Sequence, residues 1–297
     1  MPGPAGTAAA LPCIAVYAPR ERVRALARAA FPRRRARLVI VRTAAELAQT
    51  FHSGLVDAAL IDLGSPSDDA WTAAAYARDF PSAPFFGVTP LRSADGAVLA
   101  RCATLDFADV LVETVDDEAM RSLVLPLTFH ARFIAALREP PAGLALATPL
   151  QRTTWSSVIS HAGLPVRTDA VARVVGVTRE HLSRAFSATH APNLKRVIDL
   201  VRLVAAAELA KNPGYDMRDV AKVLCFASPS HLSSTTQRVL GLRPASLARL
   251  RAVDLIGRFT GSKGRSRAAG RVASRSSVRA ATRAVGRPGN RPPRAAP

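Results

Sequence analysis

The sequence contains few aromatic residues, few cysteines and no long apolar run. Aromatic residues make up 5% of the 297 residues although 48% are apolar, so the cores are expected to consist of Ala, Val and Leu. No stretch reaches the ~18 consecutive apolar residues of a membrane span, and no Lys or Arg precedes the first apolar run, unlike in a signal peptide. Cys13, Cys102 and Cys225 have no CxxC spacing and cannot all pair. These absences predict a cytoplasmic chain without a metal, cofactor, membrane partner or catalytic residue.

Acidic residues are scarce in the C-terminal half of the chain. Residues 1–149 contain 15 Lys and Arg and 15 Asp and Glu, residues 150–259 contain 16 and 7, and residues 260–297 contain 10 and none. The whole net charge of +19 therefore follows residue 149. Concentrated Lys and Arg favour a polyanion partner, because neutralising phosphates releases counterions. A tail that only aids solubility would carry the same charge, so the motifs must distinguish these two interpretations.

Five short apolar runs alternate with helical patterns in the N-terminal half. The runs are Cys13–Tyr17, Leu38–Val41, Ala58–Leu63, Pro84–Val88 and Ala108–Val112. The helical patterns are Glu21–Ala30, Ala44–Phe51, Asp69–Asp79, Ser93–Cys102 and a last one at about Asp116–Leu137. Apolar strands separated by helices are typical of a parallel sheet covered on both faces. We therefore expect residues 12–137 to form an α/β domain with a doubly wound, flavodoxin-like, five-stranded parallel sheet, whose ligands gather at the carboxyl ends of the strands.

The composition changes twice after this domain. A Glu-Pro-Pro-Ala-Gly segment beginning at Glu139 breaks the helical pattern, so residues 138–152 are expected to form a linker. Residues 153–259 show only helical patterns and predict an all-α domain. Residues 260–297 contain Arg, Ala, Ser, Gly and Pro with almost no large apolar residue. Such a tail buries too little surface to offset its ordering entropy and is expected to be disordered.

The all-α segment begins with a helix-turn-helix pattern. Thr168-Asp169 is a plausible cap for a short helix, which Gly176 ends at a sharp turn. Thr178 then caps a second helix that runs to about Thr189 and buries apolar residues at helical spacing. The polar outer face of this second helix comprises Arg179, Glu180, Ser183, Arg184 and Ser187. This arrangement is the one that enters a DNA major groove.

The same pattern recurs about fifty residues later. Asp216 caps a short helix, a turn follows at Cys225-Phe226, and Ser228-Pro229 is a strong start signal for the next helix. Gly241 ends that helix. Its outer face presents Ser230, His231, Ser233, Ser234, Gln237 and Arg238. The sequence therefore predicts two helix-turn-helix motifs in one helical domain.

One long helix, Asn193–Lys211, separates the two motifs. At ~1.5 Å per residue it would span roughly 28 Å. That length approaches the ~34 Å between successive major-groove windows on one side of B-DNA. The helix could therefore hold two readers on consecutive turns of the duplex.

The stretches VARVVGVTREHLSRAF and VAKVLCFASPSHLSSTTQRVLGLRPASL resemble the DNA-binding domain of the AraC family. The resemblance covers residues 155–251, about a third of the chain, and includes Phe226, Ser228, Ser230-His231, Arg238, Gly241 and Pro244 at signature positions. It implies that both recognition helices enter adjacent major grooves to activate or repress promoters. Three departures stand out: Cys225 replaces the usual turn Gly, Thr236 an expected core Phe, and Ser234 a common Arg. They predict a looser or less specific second motif.

Side-chain chemistry suggests roles on the two outer faces. Arg179, Arg184 and Arg238 could pair with guanine, or each could instead clamp a phosphate. Gln237 could read adenine, while the serines could contact bases or phosphates. His181 and His231 could touch phosphate or lie against the turn.

The N-terminal pattern resembles the response-regulator receiver. Asp62, at the end of the third strand, matches the residue that accepts a phosphoryl group there, and Thr89 matches the switch hydroxyl of the fourth strand. Phosphorylation also needs Mg²⁺ with carboxylate ligands after the first strand, where this chain has Tyr17-Ala18-Pro19. The fifth strand lacks the expected Lys and is followed by Glu113. We therefore expect a pseudo-receiver in which Asp62 is a vestigial phosphoacceptor.

Taken with the charge, these motifs predict a sequence-specific regulator of transcription that binds double-stranded DNA. The N-terminal domain would serve dimerisation or signal sensing, and RNA polymerase and a second copy of the chain are the expected protein partners. The alternative is an architectural DNA-binding protein in which the basic tail dominates and the sequence is hardly read. An enzyme that uses a phosphorylated Asp62 is a third, disfavoured class.

Overall fold

The computed structural model describes residues 10–64, 66–90, 96–187 and 190–261. In its N-terminal part, five parallel strands form one sheet in the order β2-β1-β3-β4-β5, which is the flavodoxin-like doubly wound order. The strands are β1 (Cys13–Tyr17), β2 (Arg37–Val41), β3 (Ala58–Asp62), β4 (Phe85–Thr89) and β5 (Asp109–Val112). Each predicted strand is confirmed to within one residue at either end.

Six helices belong to this part, and the first five of them cover the two faces of the sheet. They are α1 (Glu21–Ala30), α2 (Ala44–Ser53), α3 (Asp68–Asp79), α4 (Gly96–Thr104), α5 (Asp117–Val124) and α6 (Phe129–Ala136). The prediction of one helix at about Asp116–Leu137 is wrong. A 3-10 turn at Leu125–Leu127 separates α5 from α6, because Pro126 has no backbone N–H and interrupts the helix.

Alternate residues of each central strand point to opposite faces of the sheet. In β1, Ala15 and Tyr17 belong to one apolar core, while Ile14 and Val16 belong to the other. All five residues of β1, β3 and β4 are buried. A strand covered on both sides gains from apolar residues at every position, which explains the continuous apolar runs in the sequence.

The C-terminal part is helical throughout its described residues. Its helices are α7 (Pro149–Ile159), α8 (Thr168–Val174), α9 (Arg179–Ser187), α10 (Leu194–Leu209), α11 (Met217–Val223), α12 (Pro229–Leu240) and α13 (252–261), with a 3-10 turn at Pro244–Arg249. The expected cap at Thr168-Asp169 is wrong, since no side chain caps α8. The expected tail lies outside the described residues from position 262 onward. Among the described helices, none is long and apolar enough to cross a membrane.

The proposed linker, residues 138–152, is more ordered than its composition suggests. Thr148 and Gln151 form a capping box that starts α7 at Pro149. Leu144 and Leu146 are buried in the core of the helical part. This Pro-containing segment therefore packs against the helical part and does not only connect the two parts of the chain.

The helical part packs against one end of the sheet. Leu55 precedes β3 and joins the same apolar core as α10, as do Phe129 and Phe133 of α6. The Nε1–H of Trp155 donates to the carbonyl of Leu137, 2.8 Å away. Because strands in a parallel sheet all start at one edge, these contacts lie at the amino ends of the strands. The carboxyl ends, including Asp62, face away from the helical part.

The loop between α10 and α11 makes specific contacts with the N-terminal part. The amide of Asn212 bonds Ser82 through both its oxygen (2.9 Å) and its nitrogen (2.8 Å). The hydroxyl of Tyr215 donates to the carbonyl of Phe51 (3.0 Å), and its ring lies 4.9 Å from that of Phe80. A Cβ at Gly214 would approach the Phe80 ring to 2.7 Å, so only glycine fits there. The two parts are therefore fixed in one relative orientation.

Candidate nucleic-acid interface

The first helix-turn-helix unit consists of α8, a turn at residues 176–178, and α9. The N–H of Gly176 donates to the carbonyl of Arg173 (3.2 Å), and that of Val177 donates to the carbonyl of Ala172 (3.0 Å). These bonds form a Schellman motif, whose central residue adopts positive φ, and Gly176 has φ +73°. Thr178 caps α9 by accepting from the N–H three residues later, as predicted (3.1 Å).

The second unit repeats this geometry with α11, a turn one residue longer, and α12. The N–H of Cys225 donates to the carbonyl of Lys222 (3.0 Å), and that of Phe226 donates to the carbonyl of Ala221 (2.8 Å). Cys225 has φ +50°, although it is not glycine. Ser228 caps α12, as predicted, by accepting from a backbone N–H at 3.0 Å. The two turns thus share one backbone design, and Cys225 occupies the strained position of the second.

The expected reading faces are largely exposed. On the first unit, the exposed residues are Thr178, Arg179, Glu180, Ser183 and Arg184, whereas the side chain of Ser187 is outside the described residues. On the second, they are Ser228, Ser230, His231, Ser234, Gln237 and Arg238, with Ser233 half-buried. The opposite faces are closed by Leu182 and Phe186 in α9 and by Leu232 in α12. Both helices therefore present a polar side to solvent and an apolar side to the core.

Residues 171–249 match the family model described as a helix-turn-helix domain. The match begins within α8 and ends at the 3-10 turn after α12, so it contains both α9 and α12. This region is an AraC-type helix-turn-helix domain. Comparison with curated proteins gives no match to the chain.

Two solved structures are similar to this chain at low identity. One is a response regulator protein from Burkholderia pseudomallei with a phosphorylated aspartic acid, calcium ion and citrate; it is 18% identical and covers 61% of this chain and 99% of its own, with a TM-score of 0.34. The other is full-length FixJ from B. japonicum, 14% identical over 78% of this chain and 98% of its own, with a TM-score of 0.35. Both TM-scores are low, so neither similarity carries an argument about this protein.

Arg202 supports the turn of the second unit in the AraC-type domain. This buried residue of α10 donates from Nη2 to the carbonyls of Leu224 (2.9 Å) and Cys225 (3.3 Å). Its guanidinium lies 3.8 Å from the centre of the Phe226 ring, and its Nε donates to the carbonyl of Gly163 ahead of α8 (3.4 Å). One side chain thus connects the entry to the first unit with the turn of the second. This role of Arg202 was not predicted, because its signal in the sequence is a single cation inside an apolar helix.

Arg238 is tied to the connecting helix. Its Nη2 lies 3.0 Å from Oδ2 of Asp199 in α10, and about half of its side chain stays exposed. A contact between Arg238 and guanine would therefore compete with this ion pair. Base reading by Arg238 remains a prediction. Binding a base would require free energy to break the ion pair with Asp199. Within the described part of the chain, the Arg184 Nε, by contrast, contacts only the carbonyl of Glu180 at 3.4 Å in its own helix.

The core of the second unit contains a buried threonine where the first unit has a phenylalanine. Thr236 is fully buried, and its hydroxyl donates to the carbonyl of Leu232, one turn earlier (2.8 Å). In the first unit, Phe186 follows its helix cap by the same eight residues and is also buried. The hydroxyl at Thr236 therefore has a partner, but a much smaller side chain fills this position. His231 lies against the turn, with its ring 5.7 Å from that of Phe226.

The expected vestigial site lies at the far end of the N-terminal sheet. Asp62 is buried at the end of β3, and the guanidinium of Arg20 bonds both it and Glu113. Arg22 bonds the second oxygen of Glu113 at 2.9 Å. Thr89 is buried at the end of β4, as expected. Asp62 and Thr89 were predicted from the sequence, but Arg20 was not, because its position before α1 gives no signal.

These residues do not fit the magnesium site of a receiver. A guanidinium stands between the two carboxylates, and a Cβ on Gly64 would come within 1.9 Å of it, so the glycine makes room for Arg20. The position after β1 supplies no carboxylate. In this environment burial, together with the hydrogen bond to Asp69, raises the pKa of Tyr17 to about 12. The arrangement is a network of ion pairs in which the carboxylate of Asp62 is already paired with a cation.

Proposed function

We propose that the chain is a sequence-specific, DNA-binding regulator of transcription whose α9 and α12 enter adjacent major grooves. The duplicated Schellman turn carries this proposal, together with the burial of Leu182 of α9 and Leu232 of α12 in the same apolar core as α10. The sixteen residues of α10 span about 24 Å at ~1.5 Å per residue. Two outward faces held by such a spacer suit consecutive groove windows of one duplex.

The test is selection of binding sites from random duplex DNA. A chain ending at residue 261, which lacks ten positive charges of the tail, should still enrich one sequence with two half-sites about one helical turn apart. If only the full chain binds, without preference for any sequence, the architectural alternative is correct. Arg184→Ala should weaken binding to the selected site by ~1–3 kcal/mol if Arg184 reads a base. An equal loss on every duplex would assign Arg184 to phosphate contact.

We further propose that the N-terminal domain acts without phosphorylation of Asp62, because Arg20 and Glu113 occupy its surroundings. Incubation with a small phosphodonor and Mg²⁺, followed by mass spectrometry, should leave Asp62 unmodified. Stable modification would overturn this part of the proposal. Promoter-bound RNA polymerase is the partner through which such a regulator would act.

A cavity between the two parts of the chain favours signal sensing, rather than dimerisation, as the role of this domain. The cavity has a volume of about 330 Å³ and is lined by Phe129, Phe133, Val204, Arg132 and Lys211, among others. Junctions between domains are frequent sites of small ligands, and apolar walls with a few polar groups suit them. Ala136→Trp should fill the mouth and lower binding of an amphipathic dye; unchanged binding would remove the support for sensing.

A further inference from the structure

The N-terminal domain carries a run of exposed arginines that leads into the first residue of β2. Arg33, Arg34, Arg35 and Arg37 are all exposed, and Ala36 between them is buried. We call residues 33–37 the basic loop. Among the residues that the structure describes, no carboxylate forms an ion pair with any of the four guanidinium groups. Four adjacent cations that share one short loop repel one another and gain from an external anion.

The basic loop lies beside the turn of the second helix-turn-helix unit. Arg37 and Cys225 line the same groove of about 440 Å³, together with Leu11 and Leu164. A second groove of about 710 Å³, shared by Arg33, Arg37 and Leu11, continues from it along the edge of the sheet. Arg37 therefore lies beside the turn before α12, and Arg33 lines the adjoining groove on the N-terminal domain.

Specific contacts hold the second unit against this domain. Oδ1 of Asp219 in α11 lies 3.1 Å from Nδ1 of His52 in α2. Tyr215, just before α11, bonds the carbonyl of Phe51 in the same helix. Because α11 and α12 share one turn, this docking also fixes the distance between α12 and the basic loop.

The carboxylates of the N-terminal domain lie at both ends of the sheet. Seven of them, Asp62, Asp68, Asp69, Glu113, Asp116, Asp117 and Glu118, lie where the strands end, while Asp57, Asp79, Asp106 and Asp109 lie at the other end. The basic loop also stands at that other end, on the side of the helical domain. The domain is neutral as a whole, but four exposed arginines stand together at the end next to the DNA-reading unit.

We propose that the basic loop binds phosphates of double-stranded DNA that flank the site of α12. This inference rests on the proposed function and assigns part of the DNA interface to a domain outside the AraC-type region. Exposed arginines on a loop neutralise phosphates without reading bases, so they would add affinity and leave sequence preference unchanged.

The test compares the full-length chain with the triple variant Arg33→Ala, Arg34→Ala, Arg35→Ala on the selected duplex. Each lost phosphate contact reduces the slope of log K against log salt by about 0.9. Two lost contacts should weaken binding roughly 10–100-fold near physiological salt, by the same factor on all sequences. The triple Lys variant keeps the charge and should bind close to wild type. Arg42→Ala, just beyond the far end of β2, is the matched control and should change nothing.

Duplexes shortened stepwise from either end locate the contact. Wild type should lose affinity when one end is trimmed to the border of the selected site, and the triple Ala variant should be insensitive to that trimming. Circular dichroism and the single Arg34→Ala variant separate loss of contact from loss of fold. Wild-type affinity and slope in the triple Ala variant would overturn the inference, while a loss on Arg184→Ala would still uphold the proposed function. Absence of any sequence preference in wild type would instead refute the proposed function itself.

Discussion

Replacing Cys225 with glycine should stabilise the helical domain. Cys225 has φ +50° in the turn between α11 and α12, at the place that Gly176 occupies with φ +73° in the first unit. A side chain in the left-handed region brings Cβ close to the following carbonyl, at a cost of ~1–2 kcal/mol. Cys225 is exposed, so its replacement sacrifices little burial.

The expected gain is smaller than the strain itself. Glycine has more conformational freedom in the unfolded chain, which offsets about 0.4–1 kcal/mol of the relief. The net stabilisation should therefore be about 0.5–1 kcal/mol. With a urea m-value of ~2 kcal/mol/M, the midpoint of unfolding should rise by roughly 0.3–0.5 M.

The assay is urea unfolding followed by circular dichroism, with two matched variants. Cys225→Ala keeps Cβ in the same backbone conformation and should leave the midpoint unchanged. Gly176→Ala should lower it by a similar 0.3–0.5 M or so, because no atom lies within 4 Å of the added Cβ and only the backbone penalty remains. If Gly176→Ala leaves the midpoint unchanged, or if Cys225→Gly lowers it, then a side chain at positive φ carries no penalty in these turns.

Three further changes test the rest of the structure. Arg20→Met should lower the unfolding free energy of the N-terminal domain by about 1–3 kcal/mol, measured by urea unfolding, because it leaves Asp62 and Glu113 buried without their shared cation. The loss is smaller than for a fully buried ion pair because Arg20 is 25% exposed. An unchanged midpoint would contradict this expectation. Burial raises the pKa of Asp57 above 3.8, so its stabilising contribution is present below about pH 4 and is lost as the pH rises through the folded pKa. Asp57→Asn, which cannot titrate, should flatten that part of the curve of unfolding free energy against pH. An unaltered curve would refute this role of Asp57. Arg202→Met should weaken binding to the selected duplex roughly tenfold, ~1.4 kcal/mol, but leave binding unchanged when the second half-site is scrambled; equal losses on both duplexes would exclude a role in positioning α12.

Much of the local structure follows from short-range patterns. The caps at Thr178, Asp216 and Ser228 were predicted because a capping oxygen acts on N–H groups only two or three residues away. The failures have local causes of their own. The helix expected at about Asp116–Leu137 is interrupted at Pro126, and the proposed linker contains the start of α7.

The sequence by itself determined the two helix-turn-helix units, the alternation of five strands with helices and the segregation of charge, because each depends on residue type and on spacing within a few positions. Tertiary structure alone decided which distant charges meet. Arg20 reaches Asp62 and Glu113, Arg238 reaches Asp199, and Arg202 reaches the turn at Cys225. These partners are 23 to 93 residues apart, so packing of helices and strands sets their distance and no periodicity records it. The same packing places the basic loop, part of a domain without net charge, beside the second helix-turn-helix unit.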